Sequence, residues 1–303
     1  MDKKIKVGVL GATGIVGQQL VLLLADHAWF EISFLAASPQ SAGKKYERVV
    51  KEKWHFSESI PCQVASLLLH SIDQIEQASQ SCQLIFSALP TDSASEWEEK
   101  YAQAGLGVIS NASYHRKTAD VPMLIPEINP DHLSLIPIQQ KNHGWKGFIA
   151  VKPNCSIQSY MMPLHPLHEK FHVRQVLVFT SQAVSGAGYP GVASLDILGN
   201  VIPYISGEEE KSQSEPLKIW GKVESGGILP SKDIQISAHC TRVPVLNGHL
   251  ACVSVKFEKK PLQEEILQIW HSFRGIPQQL HLPSAPSAPI IVREELDRPQ
   301  PRL

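Results

Sequence analysis

Long basic runs, long apolar runs and paired cysteines are all missing from this 303-residue sequence. No Lys/Arg run exceeds a pair such as Lys44-Lys45, and 28 basic side chains face 29 acidic ones for a net charge of −1. That balance excludes a polyanion groove, so nucleic acid is not an expected partner and any ligand should be small. No apolar stretch approaches the roughly 20 residues that cross a bilayer. The opening "MDKKIKVGVLGATG" runs from lysines straight into a strand pattern, without the apolar core of a signal peptide. The five cysteines (Cys62, Cys82, Cys155, Cys240, Cys252) are odd in number and contain no C-x-x-C pair. Neither a disulfide framework nor a zinc knuckle is indicated, no metal is expected, and a reducing cytoplasm fits best. No internal repeat is visible.

What is present points to two domains, the usual outcome at this length. "IKVGVL" (5–10) reads as a strand, "GATGIVG" as a turn, and "QQLVLLLADH", apolar and free of proline, as a helix opening near Gly14. "ISFLAAS" (32–38), "QLIFSALP" and "GVISN" (107–111) add strands of parallel type around the polar helical stretch "SASEWEEKYAQAG". Residues 1–152 therefore read as a doubly wound α/β domain. After Cys155 the strands lengthen: "VRQVLVFTSQAV" (173–184), "IQISAHCTRVPV" (234–245) and "HLACVSVKF" (249–257), the last alternating Ala251, Val253, Val255 and Phe257 on one face. A helix over 261–274 carries Leu262, Ile266, Ile269, Trp270 and Phe273 on its apolar side. Residues 153–303 are expected to form an α+β domain ending in an extended, proline-rich tail.

Gly8, Gly11, Gly14 and Gly17 surround the first strand-to-helix turn. Small residues there let a phosphate reach backbone N–H groups at a helix N-terminus, where the macrodipole favours negative charge. A tight turn without a ligand is the alternative. Where an NAD-selective site presents an acidic residue after the second strand, this chain has Ser38, followed by Ser41, Lys44 and Lys45. Hydroxyls and cations suit a 2′-phosphate, so NADP is the expected cofactor; a solvated Ser/Lys loop is the alternative.

Cys155, in "KPNCSIQS", follows a strand-like "FIAVKP" and opens a possible helix, whose dipole would stabilise a thiolate. Free cysteine is more often inert filler, so its neighbours must decide. Arg242 and His249 lie seven residues apart in "CTRVPVLNGH", and Gln182 stands at a strand end before the glycine-rich "SGAGYPG".

These segments, together with "GATGIVGQ", "FLAASPQSAGKKY", "IFSALP", "SNASYHR", "LIPEINPDHL", "PNCS", "QAVSGAGYPGVASLDILGNVIPYISGEEEK" and "TRVPVLNGH" in that order, resemble the aspartate-β-semialdehyde dehydrogenase family, in the branch shared by archaea, fungi and some bacteria. The resemblance covers nearly the whole chain. It implies a Rossmann-type NADP-binding domain at 1–152, with Gly11, Ala12, Thr13, Gly14, Ile15, Val16, Ser38 and Ser41, joined by Ser185 and Gly186, contacting cofactor. It implies a catalytic and dimerisation domain with a mixed sheet at 153–303. There Cys155 would be the nucleophile, Gln182 its orienting partner, His249 the acid/base, and Arg242 the clamp for the substrate carboxylate. Arg116 and Lys211 would bind phosphate, assisted by Asn154, and Glu208 would face the substrate ammonium; three consecutive glutamates leave that register open against a solvated acidic loop. The implied reaction interconverts aspartyl phosphate and aspartate semialdehyde with inorganic phosphate, in amino-acid biosynthesis, by a homodimer or homotetramer. A related acyl-phosphate or malonyl-CoA reductase, or a non-catalytic nucleotide-binding relative, is the rival reading. Two departures from the family pattern stand out: Gln40 where many relatives are basic, and a family C-terminal strand and helix expected beyond "DRPQPRL".

Overall fold

The computed structural model describes residues 4–303 and divides into two compact units. The first comprises the described residues up to Met123, Leu133–Lys152 and Ser225–Gly227; the second comprises Leu124–His132, Pro153–Glu224 and Ile228–Leu303.

In the first unit, six strands, β1 (Ile5–Leu10), β2 (Phe30–Ala37), β3 (Leu69–Ser71), β4 (Leu84–Ser87), β5 (Gly107–Ser110) and β6 (Phe148–Val151), form one sheet in the order β3-β2-β1-β4-β5-β6. Every pairing is parallel. This is the doubly wound Rossmann order, with a reversal between β1 and β4 that opens a crevice at the carboxyl ends of the strands. Parallel strands are covered on both faces, which is why β1 is apolar without alternation: Val7, Val9 and Leu10 are all fully buried. The helix Ile15–Ala25 lays Gly17, Gln18, Val21 and Leu24 on the core, the spacing of one helical face. Cutting Leu24 to alanine would cost about 2–5 kcal/mol by transfer and cavity terms.

The second unit is built on a three-stranded sheet of β7 (Val173–Gln182), β10 (Gln235–Arg242) and β11 (His249–Phe257), with a short ribbon of β8 (Lys222–Glu224) and β9 (Gly227–Leu229) between β7 and β10 in sequence. The order is β10-β7-β11, with β10 parallel and β11 antiparallel to β7, so the sheet is mixed. Helices Cys155–Phe171 and Glu208–Ile219 pack on it, and helix Gln263–Ser272 packs on the former. One face is thereby covered; on the other, Leu177 and Phe179 stay exposed. The expected alternation of Ala251, Val253, Val255 and Phe257 on one face of β11 is observed. Helix Gln263–Ser272 is shorter than the 261–274 read from sequence, because Leu262 is its N-cap and remains exposed while its N–H donates to Glu265; a separate short helix, Ile276–Gln279, follows. Residues after Gln279 form neither helix nor strand, as the prolines predict. Among the described residues no helix is long and apolar enough to cross a membrane, and no group of three or more His, Cys, Asp or Glu side chains could hold a metal ion.

Candidate active site

The carboxyl end of β1 leads into a loop shaped by its glycines. Gly11 has φ +70°, and a Cβ there would stand 2.7 Å from Ala88 O; a Cβ on Gly17 would stand 2.1 Å from Gly11 O. Only glycine lets the helix start so close beneath the loop. The nearest atom to a Cβ on Gly14 is 3.6 Å away, so that position is open. Tyr46 Oη donates to Ala12 O (3.1 Å) and Gln18 Nε2 to Thr13 O (2.9 Å), tying back two loop carbonyls that would repel an anion. The helical ladder begins with Gln18 N–H to Gly14 O, leaving the N–H groups of Ile15 and Val16 ahead of it, with no acidic side chain in the first turn. Ala12 N–H donates to Ala36 O, which seats the loop beside β2. Ser38 follows β2 in an exposed position, and Ser41 closes the short turn after it. Lys44 Nζ donates to Gln40 O. Arg116 sits buried in the turn Tyr114–Lys117, donating through Nη2 to Asn111 O (3.0 Å). This cradle fits a dinucleotide diphosphate, and all its members lie in the first unit.

The remaining predicted residues lie in the second unit, and one register accounts for three of them. Gln182 ends β7 and is paired with both Arg242 at the end of β10 and His249 at the start of β11. Partners in register share a face, so the three side chains form a row on the helix-covered side. Asn154 caps helix Cys155–Phe171, its Oδ1 accepting from Ser156 N–H (2.9 Å) and Oγ (2.8 Å). Cys155 is consequently the first helical residue, exposed, with Sγ 3.2 Å from His249 Nε2. Ala183 N–H donates to His249 Nδ1 (3.1 Å), which puts the proton of the neutral ring on Nε2, facing the sulfur. The carbonyl of the same Ala183 accepts from Arg242 Nη1 (2.9 Å). A Cβ on Gly186 would come within 2.8 Å of Arg242 Nη1 and 3.1 Å of His249 Cε1; neighbouring Ser185 donates its N–H to Leu246 O.

Glu208 opens helix Glu208–Ile219 behind Gly207, whose φ of +72° suits glycine. Its two oxygens accept from Asn154 Nδ2 (2.9 Å each), Gln182 Nε2 (3.2 Å) and Lys211 Nζ (2.9 Å). Gln182 Nε2 also donates to Thr180 Oγ1. Burial by itself would push the Glu208 carboxyl up; Lys211, Asn154 and Gln182 outweigh it and hold it below the usual range. His249 is raised, chiefly by its hydrogen bond to Cys155. Burial lowers Arg242, against the pull of Glu208 and Cys155. The contact with Cys155 therefore favours the proton-bearing form of the imidazole that faces the sulfur.

Three contributors escaped the sequence reading. Ala183 acts through its backbone, Gln18 braces a loop from inside the following helix, and Glu215 accepts from Asn154 N–H at 2.6 Å from within helix Glu208–Ile219. None belongs to a residue type in a pattern that announces such a role.

A dinucleotide-type crevice in one unit and a helix-borne cysteine against histidine in the other are the parts of a dinucleotide-linked oxidoreductase. Comparison with known proteins narrows the class: residues 6–136 match the family described as "Semialdehyde dehydrogenase, NAD binding domain", and residues 164–303 match "Semialdehyde dehydrogenase, dimerisation domain". The chain belongs to the semialdehyde dehydrogenase family. It is 47% identical over 297 residues to the aspartate-semialdehyde dehydrogenase of Archaeoglobus fulgidus, covering 98% of this chain and 83% of that one. The crystal structure of aspartate semialdehyde dehydrogenase with NADP from Candida albicans superposes with a TM-score of 0.90 at 38% identity, covering 99% of this chain and 85% of the other. A malonyl CoA reductase (NADP) from Metallosphaera sedula is 38% identical over 301 residues, covering 99% and 83%.

Proposed function

We propose that this protein is an NADP-dependent aspartate-semialdehyde dehydrogenase, reducing L-aspartyl 4-phosphate to L-aspartate 4-semialdehyde with release of phosphate, in amino-acid biosynthesis. The observation that carries the chemistry is Cys155 Sγ 3.2 Å from His249 Nε2 at a capped helix N-terminus. The Cys155 thiolate attacks the acyl-phosphate carbonyl; the C–O bond to phosphate breaks, inorganic phosphate leaves, and a thioester joins substrate to sulfur. Bound NADPH supplies the hydride that reduces this thioester. His249 Nε2–H gives its proton to the oxygen of the resulting hemithioacetal, and takes it back as that adduct collapses to aldehyde and thiolate. Arg242, its fork pointing from the strand row, clamps the substrate carboxylate, and Glu208 receives the ammonium. Arg116 and Lys211, with Asn154, serve the phosphate, and Gln182 orients the reacting group. Gly11 to Val16, Ser38, Ser41, Ser185 and Gly186 hold the cofactor, the serines favouring NADP.

The exposed apolar face of the second sheet, with Leu177 and Phe179, supports a homodimer or homotetramer formed through the matched dimerisation domain. All five cysteines are free, which suits a reducing compartment, and we assign the enzyme to the cytoplasm. The second reading, reduction of a CoA thioester, is favoured by the likeness to malonyl CoA reductase. Assaying aspartyl phosphate and malonyl-CoA side by side separates the two. Cys155→Ala should lose semialdehyde oxidation while NADP affinity stays near that of the parent. Turnover at even a tenth of the parent rate in that variant sinks the cysteine mechanism.

A further inference from the structure

Glu215 lies seven residues after Glu208 on helix Glu208–Ile219, two turns along the same face, and is buried. Its Oε2 accepts from the backbone N–H of Asn154 at 2.6 Å. Asn154 is itself buried, and each of its other arms is engaged: Nδ2 on both oxygens of Glu208, Oδ1 on Ser156 N–H and Oγ. The cap of the cysteine helix is therefore gripped from two points on one neighbouring helix, its side chain by Glu208 and its main chain by Glu215. Tyr160 Oη, donating to Ser212 O between those two points, locks the helices together one turn further in.

We infer that Glu215 is a positioning residue for the nucleophile: by fixing the Asn154 peptide it sets where Cys155 Sγ stands relative to His249 Nε2. The peptide plane allows two soft torsions per residue, so an unpinned Asn154 N–H leaves the backbone ahead of Cys155 free to rotate while the side-chain cap persists. A sulfur displaced by about 1 Å from its imidazole partner loses both its hydrogen bond and much of its reactivity at neutral pH. What is needed from Glu215 is an acceptor oxygen at that reach, and not a negative charge, which beside a thiolate is a burden. The inference rests on Cys155 being the nucleophile.

Two substitutions divide the possibilities. Glu215→Gln keeps an acceptor at the same distance and removes the charge; Glu215→Asp keeps the charge and shortens the side chain by one carbon–carbon bond, about 1.5 Å, out of reach. In the full chain with NADP, Glu215→Asp should lower kcat by at least about thirtyfold with KM for semialdehyde and phosphate within about threefold, whereas Glu215→Gln should keep kcat within about threefold. The pH profile of iodoacetamide alkylation, read by mass spectrometry on the peptide carrying Cys155, should move upward by about one unit in Glu215→Asp and stay in place in Glu215→Gln. A merely structural role would lower the melting temperature of both variants and leave that profile unmoved. Parental kcat in Glu215→Asp, an equal loss in Glu215→Gln, or an unshifted alkylation profile in Glu215→Asp overturns the inference. If Glu215→Asp fails to fold, Glu215→Gln still decides, since a large fall in its kcat contradicts the acceptor role and a preserved kcat with a preserved profile supports it. Cys155→Ala run in parallel keeps the two readings apart: activity in that variant removes the nucleophile reading, while its inactivity beside a fully active Glu215→Asp removes only the role of Glu215.

Discussion

Replacing Glu208 by glutamine tests whether the site is held together by one buried carboxylate. Glutamine is nearly isosteric, but one accepting oxygen becomes an NH2 group, which must face Asn154 Nδ2 together with either Lys211 Nζ, at the Oε1 position, or Gln182 Nε2, at the Oε2 position. Hydrogen bonds to a charged group contribute about 1.5–3 kcal/mol and neutral ones about 1, so two downgraded bonds remove roughly 2 kcal/mol, and a buried donor facing a donor adds roughly 1–2. Lys211 is about a third exposed, and its ion pair is screened, so it contributes under about 1 kcal/mol. The sum is about 3–4 kcal/mol at neutral pH. Because the folded-state pKa of Glu208 is lowered, its stabilising contribution is complete above the ordinary carboxylate range and is lost as the pH falls through the lowered value. The gap between parent and Glu208→Gln, measured by urea denaturation, should therefore be widest near neutrality and should narrow steadily in acid. A gap of the same size at about pH 7 and about pH 3 would refute the reasoning, because a pH-independent loss is a packing effect and not one of charge.

Arg242→Lys should raise KM for semialdehyde far more than that for phosphate, since a point charge cannot reproduce a bidentate fork, and Arg116→Ala should do the reverse; equal weakening of both substrates in both variants contradicts the division. Ser38→Asp should move preference from NADP towards NAD by repelling a 2′-phosphate, read as the ratio of kcat/KM for the two cofactors, and an unchanged ratio means Ser38 does not face the ribose. Glu98, fully buried and raised by desolvation, accepts from Ser87 and Ser110 Oγ at 2.6 Å each. The folded chain thus keeps a proton that the unfolded chain has released, and its stability falls as the pH rises from the ordinary carboxylate pKa to the raised one. Glu98→Gln should be more stable than the parent at high pH and lose that advantage in acid; a melting-temperature difference flat between about pH 4 and about pH 8 contradicts this.

Local pattern made the first sheet readable: strand, glycine loop and helix are contiguous from Ile5 to Ala25, and each was legible from its own residues. The three long strands of the second unit were equally legible, but not that β7 lies at the centre, because its partners begin some 50 residues or more beyond its end and pairing leaves no local trace. Helix Cys155–Phe171 runs 17 residues through Pro163 and Pro166, which by propensity should break it; the burial of Ile157, Tyr160, Met161, Leu164 and Leu167 along it shows tertiary packing overriding that local preference. Cys155, Arg242 and His249 could be picked out by chemical type. Ala183 and Glu215 could not, since an alanine peptide and one glutamate among several acquire their roles only when distant segments meet.

The row Arg242–Gln182–His249 exists only in one alignment of three strands. Sliding β11 by a single residue turns His249 to the opposite face while leaving the count of backbone bonds almost unchanged. A molecule misassembled in this way would look well folded by secondary structure and compactness yet have no acid/base at all, so errors of assembly appear as dead molecules and not as slow ones. Specific activity per mole of chain then counts correctly registered sheets, and a preparation refolded from denaturant should show fewer working sites, each with the full turnover of the native enzyme.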